Sequence, residues 1–216
     1  MQKTLVVAGG GAAGFFCAIT AARLHAGLKV MLVEKTGKLL SKVKVSGGGR
    51  CNVTHACFSI PDMVKKYPRG SNFVKKTFHQ FFTSDTIQWF EERGVSLKTE
   101  ADGRIFPVSN SSQSIIDCLL QEANKYSVEI RLHHEIKNIE YKDNPHSFNI
   151  HFNNELKLQA DFICLASGGY PKSNMFDWIL PSGHTIETPV PSLFTFNMPG
   201  NSVTSLMGIS VPDAQV

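Results

Sequence analysis

The chain has 216 residues, of which 42% are hydrophobic and 19% are charged, and its formal net charge is +4. This composition is ordinary for a soluble globular protein and is sufficient for one sizeable core. The small positive charge contains no dense basic block. It therefore suits an anionic cofactor and gives no reason to expect a nucleic-acid partner.

The five cysteines are scattered along the chain, and their number is odd. They form neither a disulfide framework nor the Cys-x-x-Cys pattern of a zinc site, so we expect no metal and a reducing, cytoplasmic environment. The apolar run from Leu5 to Ala22 resembles a signal peptide or a membrane span, but its three consecutive glycines weaken a membrane helix. We therefore expect no membrane association.

The start of the chain predicts a strand, a glycine turn, a helix and a second strand that ends in an acid. Residues 4–8 and 29–34 are apolar enough to form buried parallel strands, and residues 12–26 between them predict a helix. This order is the opening βαβ unit of a doubly wound sheet. In such a unit, the motif Gly-x-Gly-x-x-Gly holds the ADP half of a dinucleotide.

Three glycines and one acid fill the positions that this motif requires. Gly9 permits the tight turn out of the first strand, Gly11 lets the backbone approach a pyrophosphate, and Gly14 lets the helix lie close to the sheet. The helix N-terminus favours the anion. Glu34 would accept hydrogen bonds from the ribose hydroxyls and would repel a 2′-phosphate, which favours FAD or NAD over NADP. Lys35 either lies beside the adenine or the phosphates or is simply solvated.

The middle of the chain predicts a helical insertion that contains one hairpin. Helices are expected over residues 61–67, 71–93 and 111–126, and the hairpin is expected over residues 95–108. Gly94 is a suitable C-cap for the second of these helices.

A glycine-rich loop, Ser46–Asn52, precedes this insertion. Glycines let the backbone approach a flat ring, so we place this loop nearest the isoalloxazine of a flavin. Arg50 or Asn52 would then donate hydrogen bonds to the flavin carbonyls or to a phosphate. A purely structural loop is the alternative.

The last third predicts a β-meander followed by another core strand. Strands are expected over residues 128–133, 136–141, 147–152 and 156–160, and the last three of them form the meander. The core strand Asp161–Ala166 then leads into Ser167-Gly168-Gly169, a second backbone turn.

Glycine turns at 9–14, 47–49 and 168–169 are therefore expected at the carboxyl ends of successive parallel strands. Ligands of open α/β sheets bind along this edge. The sequence predicts an α/β protein with a Rossmann-like, glutathione-reductase-like FAD-binding fold. This fold has a parallel central sheet, an inserted β-meander and a helical insertion.

Several segments together resemble one family of flavoproteins. They follow one another in the order Lys42–Thr54, Gly103–Pro107, Gly169–Lys172, Gly183–Ile186 and Pro191–Leu193. The segment Ile163–Gly169 resembles the Ala-Thr-Gly element of flavoproteins with two dinucleotide-binding domains. From Leu5 to Phe196 the chain is similar to the BaiN/RdsA family of NAD(P)/FAD-dependent oxidoreductases, also called aminoacetone oxidase-like flavoproteins. The resemblance implies an enzyme that binds FAD, with NAD(P)H as a candidate electron donor and a small organic molecule as substrate.

The motifs and the resemblance together assign the cofactor-binding residues. The residues expected to bind FAD are Gly9, Gly11, Ala12, Ala13, Gly14, Glu34, Lys35, Lys42, Ser46, Gly47, Gly48, Arg50, Cys51, Asn52, Ile136, Ala166, Ser167 and Gly168. Ile136 matches the family position whose backbone meets the adenine, and the last three residues support the pyrophosphate and ribityl region. Neither a catalytic residue nor an oligomeric state is predicted.

Members of this family usually have about twice this length, so the resemblance implies an N-terminal fragment. Residues 1–190 are expected to form the FAD-binding domain without its C-terminal return segment, and residues 191–216 are expected to begin a second, β-rich domain. Residues 173–177 depart from the glycine-rich stretch that the family usually has there, which leaves the contacts of that loop open.

Three alternatives remain. The chain is alternatively a truncated FAD-fold module without tight flavin binding or activity of its own. It is also compatible with an NAD-only Rossmann dehydrogenase. A simple Rossmann domain alternates strand and helix, so the long meander argues against this alternative. Finally, Cys51 and Cys57 resemble the redox pair of flavin disulfide reductases, but five residues separate them instead of four.

Overall fold

The structure is a computed structural model, which describes residues 2–144, 146–190 and 197–206. Four parallel strands form the central sheet in the order β10-β1-β2-β6. Their bounds are Thr4–Ala8 for β1, Lys29–Val33 for β2, Glu129–Arg131 for β6 and Phe162–Leu165 for β10. β1 lies inside the sheet and pairs with β2 on one side and with β10 on the other. The predicted parallel sheet of an α/β fold is thus confirmed.

Six α-helices are present in the described part of the chain. They are Ala12–Leu24 (α1), Ser41–Val45 (α2), Ile60–Val64 (α3), Ser71–Phe78 (α4), Thr83–Glu91 (α5) and Ser112–Lys125 (α6). α1 connects β1 to β2, and α6 leads into β6, as expected for a doubly wound sheet. α2 to α5 form the predicted helical insertion between β2 and β6.

Two small antiparallel sheets are attached to this unit. One contains β3 (Thr54–His55), β4 (Leu97–Thr99) and β5 (Arg104–Pro107), and it includes the predicted hairpin. The other contains β7 (Ile136–Asp143), β8 (His146–Phe152) and β9 (Lys157–Ala160) in consecutive order. The second sheet is the predicted β-meander inserted before β10.

The hydrophobic core lies on both faces of the central sheet because successive strand residues point to opposite sides. Leu5 and Val7 of β1 pack in the cluster that contains α1, α5 and α6. Val6 and Ala8 pack in the cluster formed with the meander. This two-sided burial explains why β1 and β2 are continuous apolar runs.

Two sequence-based predictions for the insertion need correction. The expected helix 71–93 is two helices, α4 and α5, because the chain leaves the helical path before Thr83 and the carboxylate of Asp85 caps the backbone N–H of Phe82. The glycine turn at 47–49 does not follow a strand of the central sheet. It is a 3₁₀ turn, Ser46–Gly49, directly after the short helix α2.

The predicted start of a β-rich domain falls mainly on residues 191–196 and 207–216, which lie outside the described residues. Residues 197–206 contain a 3₁₀ turn at Ser202–Leu206. The domain division at residue 190 therefore stays a prediction. Within the described ranges, every helix is too short or too polar to cross a membrane. The same ranges contain no cluster of three or more His, Cys, Asp or Glu side chains arranged to hold a metal ion.

Candidate dinucleotide site

The candidate site lies where the order of the parallel strands in the sheet reverses, next to β1. From β1 the connection through α1 goes to β2 on one side, whereas β10 lies on the other side. The carboxyl ends of β1 and β10 therefore border a crevice, which is where open α/β sheets bind ligands. The residues that follow these two strands, Gly9 and Ala166, are in contact across this crevice.

Two of the three motif glycines are required by close backbone contacts. Gly9 has a φ of +121°, and a Cβ there would collide with the carbonyl oxygen of Ala166. A Cβ at Gly14 would collide with the carbonyl oxygen of Gly9. The strand-to-helix turn is consequently tight, and α1 lies directly on the sheet. Gly9 is further fixed by its N–H, which donates to the carbonyl of Val33 at 2.8 Å.

The third motif glycine faces open space. A Cβ built at Gly11 would meet no atom within 4 Å, so the packing of the described residues does not require a glycine there. Gly11 is the N-cap residue of α1. The amide groups of Ala12 and Ala13 have no acceptor in the described part of the chain. These N–H groups and the helix dipole make this point suitable for a phosphate.

The carboxylate of Glu34 lies next to this turn. Its Oε2 accepts a hydrogen bond from the N–H of Gly10 at 2.8 Å, and its Oε1 accepts from the N–H and the hydroxyl of Thr36, both at 2.9 Å. An ionised carboxylate has about four acceptor sites, so it can hold these donors and still accept a ribose hydroxyl. The position of Glu34 is therefore set by the turn itself.

A cavity of about 220 Å³ opens beside Glu34 at the end of the sheet. Five of the predicted FAD-binding residues line it, namely Gly9, Glu34, Lys35, Ile136 and Ser167. Ile136 is buried and begins β7. The structure thus brings the start of the meander to the acid at the end of β2, as a site for adenine and ribose requires.

The sequence did not identify several residues of this cavity. Tyr170, Met175 and Trp178 line it from the segment after β10, and His134 lines it from the loop before β7. The ammonium group of Lys35 lies 4.9 Å from the centre of the Tyr170 ring. The aromatic side chains that follow the Ser167-Gly168-Gly169 turn are the feature of the sequence that indicates this part of the cavity.

The glycine-rich segment after α2 forms a strongly curved backbone. Gly47, Gly48 and Gly49 all have positive φ values, and Cys51 also has a φ of +61°. A Cβ at Gly47 would lie 2.8 Å from the backbone nitrogen of Asn52, which shows how tightly the chain folds back. Gly48 faces open space.

The two polar side chains expected to contact the flavin from this segment already have protein partners. Arg50 forms an ion pair with Glu100 at 2.6 Å and stacks on Phe106, with the guanidinium 4.0 Å from the ring centre. In the amide orientation that satisfies its neighbours, Asn52 donates to the carbonyls of Thr54 at 2.8 Å and Ile105 at 3.2 Å. These contacts anchor the segment to the β5 hairpin.

The same segment also lines a second cavity, of about 510 Å³. The predicted residues Ala12, Ala13, Lys42, Ser46, Cys51 and Asn52 line it, together with the aromatic side chains Phe16, Phe81, Trp89 and Phe90. Burial raises the pKa of the Cys51 thiol, and the hydrogen bond with Ser46 opposes this rise. Cys51 is therefore a neutral thiol, unlike a reactive thiolate.

A third cavity, of about 1350 Å³, lies on the other side of the turn and is lined in part by Ala13, Ala166, Ser167 and Gly168. It shares Ser167 with the 220 Å³ cavity and Ala13 with the 510 Å³ cavity, so the three spaces adjoin around the N-terminus of α1. Among the predicted residues, those outside these three linings are Gly11, Gly14, Gly47, Gly48 and Arg50.

Lys42 is the cation placed best for a phosphate in this arrangement. It belongs to α2 and lines the 510 Å³ cavity with Ala12 and Ala13. Its ammonium nitrogen lies 3.7 Å from the position that a Cβ on Gly168 would take. Within the described residues it has no carboxylate partner. A free ammonium group thus faces the same space as the N–H groups of the helix.

The chain is similar to a family of Rossmann domains and to several curated proteins. The family described as "HI0933-like protein Rossmann domain" matches residues 3–178. A ribosomal RNA dihydrouridine synthase of Haemophilus influenzae is 28% identical over 218 residues, which cover 96% of this chain and 52% of the relative. A 3-dehydro-bile acid delta(4,6)-reductase of Clostridium scindens is 26% identical over 216 residues, covering 97% of this chain and 51% of the relative.

Solved structures support the same fold. A flavocytochrome c3 fumarate reductase superposes with a TM-score of 0.59 at 22% identity, over 84% of this chain and 36% of that one. A 3-ketosteroid-delta4-(5alpha)-dehydrogenase from Rhodococcus jostii gives a TM-score of 0.57 at 16% identity, over 82% of this chain and 48% of that one. The chain spans about half the length of the curated relatives it matches.

Proposed function

Because the chain belongs to the HI0933-like Rossmann-domain family, we propose that it is the FAD-binding part of a flavin-dependent oxidoreductase. One observation carries this proposal. The glycine turn between β1 and α1 presents an uncrowded Gly11 and unpaired helix N–H groups at the sheet crevice, next to Glu34. This combination fits a pyrophosphate and the adjoining ribose.

In this proposal, each part of the crevice binds one part of the cofactor. Glu34 accepts the ribose hydroxyls, and the 220 Å³ cavity with Ile136 takes the adenine. Ala12, Ala13 and Lys42 bind the pyrophosphate through N–H groups and one ammonium group. The bound flavin supplies the hydride chemistry, while the protein binds and orients it.

We propose that the substrate is a small molecule or group with a carbon–carbon double bond conjugated to a carbonyl. The names of both relatives, a dihydrouridine synthase and a delta(4,6)-reductase, describe saturation of such a bond. In this reaction a hydride adds to the β-carbon and a proton adds to the α-carbon, while NADH or NADPH is the proposed source of the two electrons. The expectation that nucleic acid is not a partner stays untested, and a uridine-containing RNA is the probe that tests it.

The first experiment measures cofactor binding by the purified chain. We expect a yellow preparation, or one that becomes yellow when FAD is added and the excess is removed by gel filtration. A chain that stays colourless and leaves FAD fluorescence unchanged in titration contradicts the proposal.

The second experiment addresses the reaction. The flavin-loaded protein is mixed anaerobically with NADH or NADPH, and the flavin absorbance is followed. A uridine oligonucleotide and a Δ4-3-ketosteroid are then added separately as oxidants. Reoxidation by either one supports an enone-type substrate and selects its class, whereas reoxidation only by dioxygen or by a quinone contradicts it.

A second candidate function is a FAD-fold module that holds no flavin tightly. The partners of Arg50 and Asn52 favour it, because both side chains are used within the protein instead of facing a flavin. The titration above separates the two candidates by the measured affinity.

We further propose a cytoplasmic location, since all five cysteines are free thiols. We also propose the domain division at residue 190.

A further inference from the structure

The positive charge of the chain is concentrated in one short segment of the helical insertion. Residues 59–80 contain five of the 22 Lys and Arg residues of the chain but only one of its 18 Asp and Glu residues. They therefore account for the whole formal net charge of +4, and the charges of the rest of the chain are balanced. This segment contains α3 and α4, which pack against each other. The total charge, from which we expect no nucleic-acid partner, hides this uneven distribution.

The two helices form a hairpin that places its cations at the surface. The turn between them ends at Gly70, the N-cap residue of α4. The ring of Tyr67 packs edge-on against the ring of Phe78, with 5.6 Å between their centres, and this contact holds the turn against the end of α4. All five cations of the hairpin are exposed, namely Lys65, Lys66, Arg69, Lys75 and Lys76.

Four of these five cations are available to an anion. Lys65 pairs with the carboxylate of Asp62 at 2.7 Å. Among the residues that the structure describes, no carboxylate forms an ion pair with any of the other four. Neighbouring like charges repel one another, and a polyanion removes this repulsion while it releases its own counterions. The charge of the hairpin thus fits the phosphate backbone of a nucleic acid.

An exposed aromatic ring lies among these cations. The side chain of Phe73 on α4 is 77% exposed, the largest fraction for any large apolar side chain in the described part of the chain. Lys76 follows it by three residues, so the two side chains share one face of the helix. A ring flanked by cations is a stacking platform for an unpaired base. A membrane-binding helix would instead present a whole apolar face, whereas Phe73 is the one exposed large apolar side chain of α4.

The hairpin is joined directly to the candidate site. α4 ends at Phe78, and Phe81, three residues later, lines the 510 Å³ cavity. The ring of Phe81 also contacts the ring of Phe16 on α1, with 5.0 Å between their centres. A ligand held by α4 is therefore close to one wall of this cavity.

We propose that α3 and α4 form a docking surface for single-stranded RNA, in which the cations bind phosphates and Phe73 stacks on a base. The choice of RNA over DNA rests on the proposed function, in which a uracil ring is a candidate for the conjugated substrate. The surface favours a single strand, because the bases of a duplex are already stacked on one another. The insertion then holds the strand from which one nucleotide reaches the crevice.

The test measures binding of a fluorescein-labelled oligouridine to the purified full chain by fluorescence anisotropy, without FAD. Four available cations predict a slope of about −3 for the logarithm of affinity against the logarithm of salt concentration. In Lys75→Ala/Lys76→Ala, this slope should flatten by about 1.4, and affinity should fall at least about tenfold near about 50 mM salt. In Phe73→Ala, affinity should fall at least about fivefold without a change of slope.

Lys142→Ala/Lys157→Ala is the matched control, because it removes the same charge from exposed positions of β7 and β9. It should leave the affinity for oligouridine unchanged. No binding by the starting protein, an equal loss in the control, or binding to phosphatidylglycerol vesicles instead of oligouridine overturns the proposal.

FAD titration of the same variants separates this proposal from the proposed function. All of them should keep the FAD affinity and the melting temperature of the starting protein, because the substituted side chains are exposed. A chain that binds FAD but not oligouridine overturns the docking surface alone. A chain that binds oligouridine through these residues but no FAD supports the docking surface and contradicts the proposed function.

Discussion

The carboxylate of Glu34 shows how one side chain can serve both the fold and a ligand. Its two oxygens accept from Gly10 and from Thr36, and these bonds hold the acid beside the turn before any ribose binds. Preorganisation of this kind reduces the cost of binding, because the acceptor needs no new ordering. The same bonds mean that a substitution at Glu34 also releases the N–H of Gly10.

We predict that Glu34→Gln weakens FAD binding by about 1–3 kcal/mol, which is the value of one or two hydrogen bonds to a charged group. The change keeps the size of the side chain and removes its charge. Fluorescence titration with FAD measures the effect. Glu135→Gln is the matched control, because Glu135 lines the same cavity but is paired with Lys137 at 2.8 Å. Equal affinities for the two variants would place the ribose elsewhere.

Gly11 provides a sharper test of the phosphate position. Since a Cβ at Gly11 meets no protein atom within 4 Å, Gly11→Val should fold and should block the space in front of the helix. We predict that FAD affinity falls at least about tenfold, or roughly 1.4 kcal/mol. Gly27→Val is the control, because Gly27 also faces open space but lies at the far end of α1. Normal flavin content in Gly11→Val would refute the assigned motif.

At the scale of elements, the sequence predicted long periodic segments better than short or interrupted ones. α1 and α6 were expected within two residues of their observed bounds. The single helix expected over 71–93 was wrong because continuous apolar spacing concealed the restart at Thr83. The helix-start residues Thr83, Ser84 and Asp85 carried that signal. α2 has only five residues, which is too short for periodicity to show.

One nearly buried ion pair connects the end of α5 to α6. Arg93 follows α5 and donates to Glu122 of α6 at 2.7 Å, while its guanidinium lies 4.0 Å from the ring centre of Trp89. Only 13% and 9% of the two side chains are exposed. Removing one partner would therefore leave a charge with little water to solvate it.

We predict that Glu122→Ala lowers the free energy of unfolding by about 3–5 kcal/mol in urea denaturation, because Arg93 then keeps only the distant carboxylate of Glu92 at 3.9 Å and the carbonyl of Trp89. Glu129→Ala is the matched control. Glu129 pairs with Lys29 and Arg131, but 36% of the Glu129 side chain is exposed. Its loss should cost no more than about 1 kcal/mol. Similar losses for both variants would show that burial does not distinguish the two pairs.

At the scale of the whole molecule, local motifs and family resemblance account for only part of the candidate site. Gly9 and Glu34 belong to a motif with known spacing, Ile136 was assigned from the family resemblance, and all three line the 220 Å³ cavity. The contribution of Tyr170 and Trp178 to the cavity beside Glu34 depends on how distant segments fold together. The residue pattern within a short stretch of sequence does not reveal contacts between distant segments.

The two ends of the crevice differ in the groups that are free to bind a cofactor, and this difference leads to a prediction about cofactor fragments. On the adenosine side, Glu34 and a formed cavity are available, whereas Arg50 and Asn52 are held by Glu100 and by backbone carbonyls. The ADP half should therefore provide most of the affinity of this chain for FAD. We expect ADP to compete with FAD at an affinity within about tenfold, or roughly 1.4 kcal/mol, in calorimetric titration.

The same titration includes two controls. FMN, which lacks the adenosine, should bind far more weakly than ADP, and 2′-phospho-ADP should bind more weakly than ADP because its phosphate approaches the carboxylate of Glu34. FMN binding as tight as that of FAD would contradict the prediction, since the flavin half would then provide the affinity. Because the three fragments compete for one site on one protein, the order of their affinities shows which end of the crevice provides most of the binding free energy. We expect this order to be ADP, then 2′-phospho-ADP, then FMN.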